Sequence, residues 1–225
     1  MRTYLQITAA IVVFFIGFTS CKQEPRAQFY FEYFGFDEGL YVIYDVIEMN
    51  HDDTVGVHDT IEYQLKTVWG PVFVDNEGRN SREFKRFTRL NPSYDWVLAD
   101  LWTGLFVGNR AELIEENQRI VKLVFAPELN KLWNANAYNM MGKRSCYYRD
   151  IHEEATINTA SFDSTLVLEI DEYYSLIDTV HNYEMYAKNI GLVYSHFVDN
   201  HFQIGNSTIV KGIEYFHTYN SHGYE

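Results

Sequence analysis

From Val57 to Trp69 the polarity changes side at almost every step. Val57, Asp59, Ile61, Tyr63, Leu65, Thr67 and Trp69 fall on one side, five of the seven apolar, and His58, Thr60, Glu62, Gln64, Lys66 and Val68 fall on the other, mostly polar. Side chains on an extended backbone point alternately to opposite faces, so a period of two marks a strand with one buried face. No long amphipathic helix pattern competes with it elsewhere in the chain. Leu40–Met49 reads as the partner strand, apolar on both faces at its start. His51-Asp52-Asp53-Thr54-Val55-Gly56 supplies the turn chemistry between the two.

The same reading continues along the chain. Asp75-Asn76-Glu77-Gly78 is a turn, followed by a strand near Arg82–Leu90 that Asn91-Pro92-Ser93 breaks. Trp96–Val107, Ala111–Glu116, Arg119–Phe125, Tyr147–Ile157, Thr165–Tyr173, Tyr183–Lys188, Leu192–Phe202 and Ile209–Tyr219 complete the set. Residues 128–145 are the longest irregular stretch, and Tyr174–His181 reads either as loop or as a single helical turn. About ten strands with short connections predict a single antiparallel all-β domain, an open or half-barrel or a sandwich. Aromatic residues make up 17% of the 225-residue chain. Filling a core is the simpler use for so many rings, and lining a cavity is the other.

Acidic residues outnumber basic ones 31 to 18, a formal charge of −13. Binding nucleic acid through phosphates needs clustered Lys and Arg, and the chain has no such cluster, so nucleic acid is excluded as a partner. A polybasic membrane patch is absent for the same reason. Attachment to a membrane would need an apolar or covalent device.

The N-terminus offers one. Arg2 precedes an apolar run, Ile7–Phe18, interrupted only by Thr8 and Gly17. Twelve helical residues reach about 18 Å, short of the roughly 30 Å hydrocarbon core, so the run fits the apolar segment of a secretory signal better than a membrane span. Thr19 and Ser20 then lead into Cys21, and a polar stretch, Lys22-Gln23-Glu24-Pro25-Arg26, follows. This arrangement resembles the lipobox of bacterial lipoproteins, departing from it at Phe18, where Leu is commoner. The resemblance implies cleavage between Ser20 and Cys21, and acyl chains attached through the Cys21 sulfur. Two or three chains hold a protein to a bilayer, at about 0.8 kcal/mol per buried methylene. The division is then residues 1–20 as signal peptide, 21–30 as lipidated tether and 31–225 as the β domain. Lys22 rather than Asp after the cysteine implies the outer membrane, with the periplasmic or surface face open. Cys146, the only other cysteine, reads as a small buried residue.

Several stretches of the body are similar to a family of Bacteroidota envelope lipoproteins: EENQRIVKLVF (115–125), WNANAYN (133–139), FDSTLVL (162–168) and YAKNIGLVYSHF (186–197), with DNEGR at 75–79. The resemblance implies lineage and compartment and carries no catalytic residues. YAKNIGLV also resembles strands of envelope lipoproteins that form curved half-barrels, with Gly191 permitting a bulge or sharp twist.

Motifs for chemistry fail when tested. His152-Glu153-Glu154 opens like a zincin motif, but position 156 is Thr156 rather than a second histidine. His51, Asp52, Asp53, His58 and Asp59 gather ligand-type side chains, and turn formation explains the same letters, so no metal is expected. Glu115-Glu116 and Glu153-Glu154 are carboxylate pairs in sequence, yet neighbours on a strand face opposite ways. No P-loop, dinucleotide fingerprint or nucleophile elbow occurs, and no cofactor is expected. Trp133, Asn134, Asn136 and Tyr138 combine flat rings with amides and form a candidate ligand loop, although a loop needs such residues for its own turns. Thr54, Thr60, Ser164 and Thr179 each follow an aspartate and precede a β-branched or hydroxyl residue. That pattern is similar to the O-glycosylation motif of Bacteroidota envelope proteins and makes these four candidate acceptors.

The reading that follows is an envelope lipoprotein with a non-enzymatic binding or structural role and an unspecified protein or glycan partner. A carbohydrate-binding or carbohydrate-processing lipoprotein of an uptake system and a half-barrel carrier of apolar ligands are the alternatives. A cavity, and two buried carboxylates converging in a cleft, are the features that would discriminate among them.

Overall fold

A computed structural model describes residues 28–205 and 208–225. Cys21, Ser20 and the apolar run before them lie outside the described residues. Twelve antiparallel strands form one sheet: β1 (Leu40–Asp52), β2 (Val57–Val74), β3 (Asn80–Arg89), β4 (Val97–Val107), β5 (Arg110–Glu115), β6 (Gln118–Val124), β7 (Leu132–Asn134), β8 (Ser145–Ile157), β9 (Ala160–Tyr174), β10 (Asp178–Ala187), β11 (Gly191–Phe202) and β12 (Ile209–Tyr224). The order across the sheet is β6-β5-β4-β3-β2-β1-β12-β11-β10-β9-β8-β7, two meanders joined where the first strand pairs with the last. The expected fold class is therefore the observed one, with the sheet rolled into a nearly closed barrel rather than split into a sandwich.

Aromatic side chains and backbone groups stitch the two free edges together. The Val121 N–H donates to the Ala135 carbonyl (2.9 Å), and the Trp133 indole donates to the Val121 carbonyl (3.2 Å). The buried Tyr148 hydroxyl accepts from the Val124 N–H and donates to the Val124 carbonyl, both at 2.9 Å. An unpaired strand edge exposes a row of amide groups, and these bonds satisfy several of them at the seam.

Local sequence sets the turns. Glu116 and Asn117 both adopt positive φ (46° and 62°) in the two-residue link between β5 and β6, the backbone that a tight hairpin requires. Between β2 and β3 the Asp75 carboxylate accepts from the N–H groups of Glu77 and Arg79 and from the Arg79 guanidinium. These bonds, the Arg79 backbone first, pull its pKa down to about 2. Tyr174–His181 contains a Ser175-centred turn between β9 and β10 rather than a helical turn. The stretch 128–145 contributes the three-residue β7.

One end of the barrel is closed from within. Phe31–Phe34 form a single 3-10 turn, with Tyr33 and Phe34 buried. Phe29 stacks on Phe31 (5.4 Å between ring centres), and Phe31 meets Phe106 and Phe125 edge-on. Gly35 ends the turn at φ 58°, so close to β11 that a Cβ there would lie 2.3 Å from the Ile190 carbonyl oxygen. Gly191, φ 95°, faces the Phe34 carbonyl in the same contact. Its role is close approach by the plug, beyond the strand twist its sequence suggests. The β2–β3, β4–β5, β8–β9 and β10–β11 turns share this end, because consecutive antiparallel strands reverse direction.

At the other end β1 and β2 run beyond their shorter neighbour β3, which pairs no further along β2 than Gln64. Leu65, Thr67 and Trp69 are buried, whereas Ile61 is exposed. The alternation from Val57 to Trp69 is a strand throughout, but only its second half lines the barrel.

Candidate ligand cavity

Above the plug the barrel is not filled. A cavity of about 170 Å³ has Phe34, Leu40 and Trp69 among its lining residues and carries polar groups from seven strands around it. Cross-strand register explains the arrangement. Trp69 pairs with Phe84 and Phe84 with Trp102, and Thr67 pairs with Arg86 and Arg86 with Asp100. Two adjacent rows on β2, β3 and β4 are therefore one aromatic and one polar. Trp69 and Phe84 lie 4.3 Å apart, and the Arg86 guanidinium sits 4.2 Å from the Trp102 ring centre while one of its nitrogens donates to Asp100 (2.6 Å). On the opposite wall Ser195 of β11 pairs with His217 of β12, and Ser195 also pairs with Glu184 of β10.

Lys122 joins the two halves across the seam. The register of β5 and β6 slips between Ala111 and Glu112, a bulge that leaves Lys122 unpaired and aims it inward. Its ammonium lies 2.8 Å from Glu184 and 3.8 Å from Glu115. Burial alone would depress the Lys122 pKa, but Glu184 and then Glu115 outweigh it and raise the value above that of free lysine. Burial likewise opposes ionisation of Glu184, and Lys122 overcomes it, holding this carboxyl below its ordinary value. The Tyr186 hydroxyl also donates to Glu184, and its own pKa is raised, by burial first and by that carboxylate second. His217 is pushed down to about 4 by burial and by the nearby Arg86 charge, so its imidazole is neutral at pH 7.

The residues singled out in the sequence fall elsewhere. The Asn134 amide oxygen accepts from the N–H groups of Asn136 and Arg144, and Asn136 is buried, donating to the Gly142 carbonyl. Trp133 holds the seam. Tyr138 stays half-exposed with the Arg110 guanidinium 4.7 Å from its ring centre. Three of the four thus hold the loop to itself and to the barrel. Among the candidate glycan acceptors, Thr54 and Thr60 are exposed on the β1–β2 hairpin and Thr179 is partly buried in β10. The Ser164 hydroxyl is bonded to the Tyr33 hydroxyl of the plug (2.6 Å). Cys146 is buried, and burial pushes its thiol up to about 12, which makes it a poor nucleophile. Among the described residues no cluster of His, Cys, Asp and Glu is arranged to hold a metal ion.

No family model matches the chain, and no curated protein matches it. Two solved structures are similar. One is a candidate lipoprotein from Parabacteroides distasonis, 12% identical, with a TM-score of 0.43 over 88% of this chain and 100% of that one. The other is a candidate exported protein with a YmcC-like fold from Bacteroides fragilis, 11% identical, with a TM-score of 0.42 over 87% of this chain and 100% of that one.

The cavity residues Arg86, Lys122, Glu184, Ser195 and His217 carry no sequence motif. A weak signal was present for one: Lys122 interrupts the apolar run Ile120–Phe125. Glu115, the last residue of β5, faces the cavity, whereas Glu116 lies in the following turn at positive φ and accepts from the Trp102 indole (3.1 Å).

Proposed function

We propose that the protein is a non-enzymatic, lipid-anchored binding protein of the cell envelope, taking a small ligand into the barrel. The observation that carries this reading is the cavity: a preformed concave site with an aromatic wall and a few placed polar groups. Two carboxylates, Glu115 and Glu184, do converge in it, but an ammonium stands beside both. A glycosidase needs one carboxyl protonated at working pH, and general acid or base work needs a pKa near that pH. Glu184 is lowered and Lys122 raised, both away from that range. The pair suits a fixed electrostatic lining better than proton transfer.

The anchor is the Cys21 sulfur, with residues 1–20 removed. Gln28 leaves the body next to the plug, and the seven residue-to-residue steps from Cys21 to Gln28 span at most about 25 Å. An anchor so placed keeps the plugged end near the bilayer and turns the opposite end outward. The outer membrane is the compartment favoured by Lys22. Two measurements test the proposal. Native mass spectrometry of the detergent-purified protein from its host should show two or three acyl chains and a dissociable small molecule. Cys21→Ser should abolish palmitate incorporation and release the protein from membranes. A wild-type protein that never incorporates palmitate sinks the anchor, and a body that retains no molecule and binds none added sinks the binding role.

A further inference from the structure

Resting on that reading of the cavity, we infer that its ligand is a neutral, polyhydroxylated molecule about the size of a hexose, held inside the barrel rather than at the Trp133 loop. Three observations narrow the class. First, the wall holds hydrogen-bonding capacity that the protein leaves uncommitted. Glu115, Ser195 and His217 make no side-chain hydrogen bond to any described residue, and Arg86 uses one nitrogen, on Asp100. An apolar ligand would strip water from these groups and return no hydrogen bond in exchange. A ligand with several hydroxyls can both donate to Glu115 and accept from Arg86 and Ser195.

Second, the charges are already matched. Arg86 faces Asp100, and Lys122 faces Glu184 and Glu115. The surplus is a single carboxylate, and Glu115 keeps 29% side-chain exposure, so water screens it. A carboxylate or phosphate ligand would enter beside that surplus, and an ammonium ligand would find each carboxylate already facing a cation, Asp100 facing Arg86 and Glu184 and Glu115 facing Lys122. A neutral ligand meets neither obstacle, and hydrogen bonds to ionised groups are the stronger kind.

Third, the shape agrees. Trp69, Phe84 and Trp102 stand side by side on consecutive strands and line one side of the cavity with rings, Trp69 and Phe84 tilted by 43°, against which the C–H groups of a sugar ring can pack. The cavity has room for about eleven to seventeen waters at ~10–15 Å³ each, and a hexose has about a dozen heavy atoms.

The full-length chain in detergent is titrated with the methyl glycosides of glucose, galactose and mannose and with myo-inositol, and in parallel with hexanoate, hexylamine and N-phenylnaphthylamine. Tryptophan fluorescence reports on Trp69 and Trp102, and saturation-transfer NMR reports on the ligand. At least one neutral polyol should bind saturably, and both Ser195→Ala and Glu115→Gln should weaken it at least tenfold while leaving the far-ultraviolet dichroism unchanged. If a polyol binds equally well to both variants, the site lies elsewhere and the inference fails. If only hexanoate, hexylamine or the naphthylamine binds, the ligand class is wrong and the cavity remains a binding site. If no probe binds, both fail.

Discussion

Gly35 and Tyr148 show how single residues decide whether this barrel closes. Gly35 combines a left-handed backbone with a Cβ position already occupied by the Ile190 carbonyl. Left-handed strain alone costs about 1–3 kcal/mol, and the clash adds to it. Gly35→Ala should therefore lower the unfolding free energy by at least about 2 kcal/mol in urea titration. Tyr148→Phe removes one oxygen that satisfies both the N–H and the carbonyl of buried Val124. The expected loss is about 1–3 kcal/mol, with faster amide exchange confined to β6 and β8. Neither role could be read from the letters. Gly35 stands in a run, Phe-Gly-Phe, without turn signals, and the partner of Tyr148 is 24 residues away. By contrast the turns at Asp75–Gly78 and Asp52–Gly56 are legible, because their hydrogen bonds are local and Asp and Gly have few other uses in such positions.

At the scale of elements, strand existence follows from alternation, and every expected strand is present. The number rose to twelve because β7 is three residues long and gains its place only by pairing with β8. The Lys122–Glu184 ion pair, which links β6 to β10 across the interior, makes a distinct prediction. Lys122→Met leaves the Glu184 carboxylate in the wall without its cation, while Tyr186 still donates to it. Removing one partner of a buried pair costs about 3–5 kcal/mol, and access from the cavity reduces this to roughly 2–4 kcal/mol. The double variant Lys122→Met, Glu184→Leu should recover most of the loss. A double variant as unstable as the single one would mean that Lys122 acts through its own packing rather than through Glu184.

For the whole molecule, the interior charges set a pH dependence. His217 has a folded pKa of about 4 against 6.5 for the free side chain, so the unfolded chain takes a proton that the native state refuses. Stability then falls as pH drops from 6.5 toward 4, by on the order of 2–3 kcal/mol at about 1.4 kcal/mol per pKa unit. Glu184, lowered from 4.5, contributes stability that is present above 4.5 and lost below it. The urea midpoint should decline steadily from pH 7 to pH 4, and His217→Gln should flatten the portion between pH 6.5 and 4.5. An unchanged profile in that variant would place the sensitivity elsewhere.

Alternating polarity, turn chemistry and the lack of helical periodicity determined an all-β antiparallel domain, because each of these acts between residues close in sequence. The proposed lipid attachment at Cys21 rests on a sequence resemblance alone, that of Thr19-Ser20-Cys21 and the apolar run before it to a lipobox. Only the tertiary structure decided between barrel and sandwich, and between a filled core and a hollow one. Closure depends on β1 finding β12, and the cavity on Lys122, Arg86 and His217 converging from β6, β3 and β12. A period of two says that a side chain faces inward, but not what it meets there.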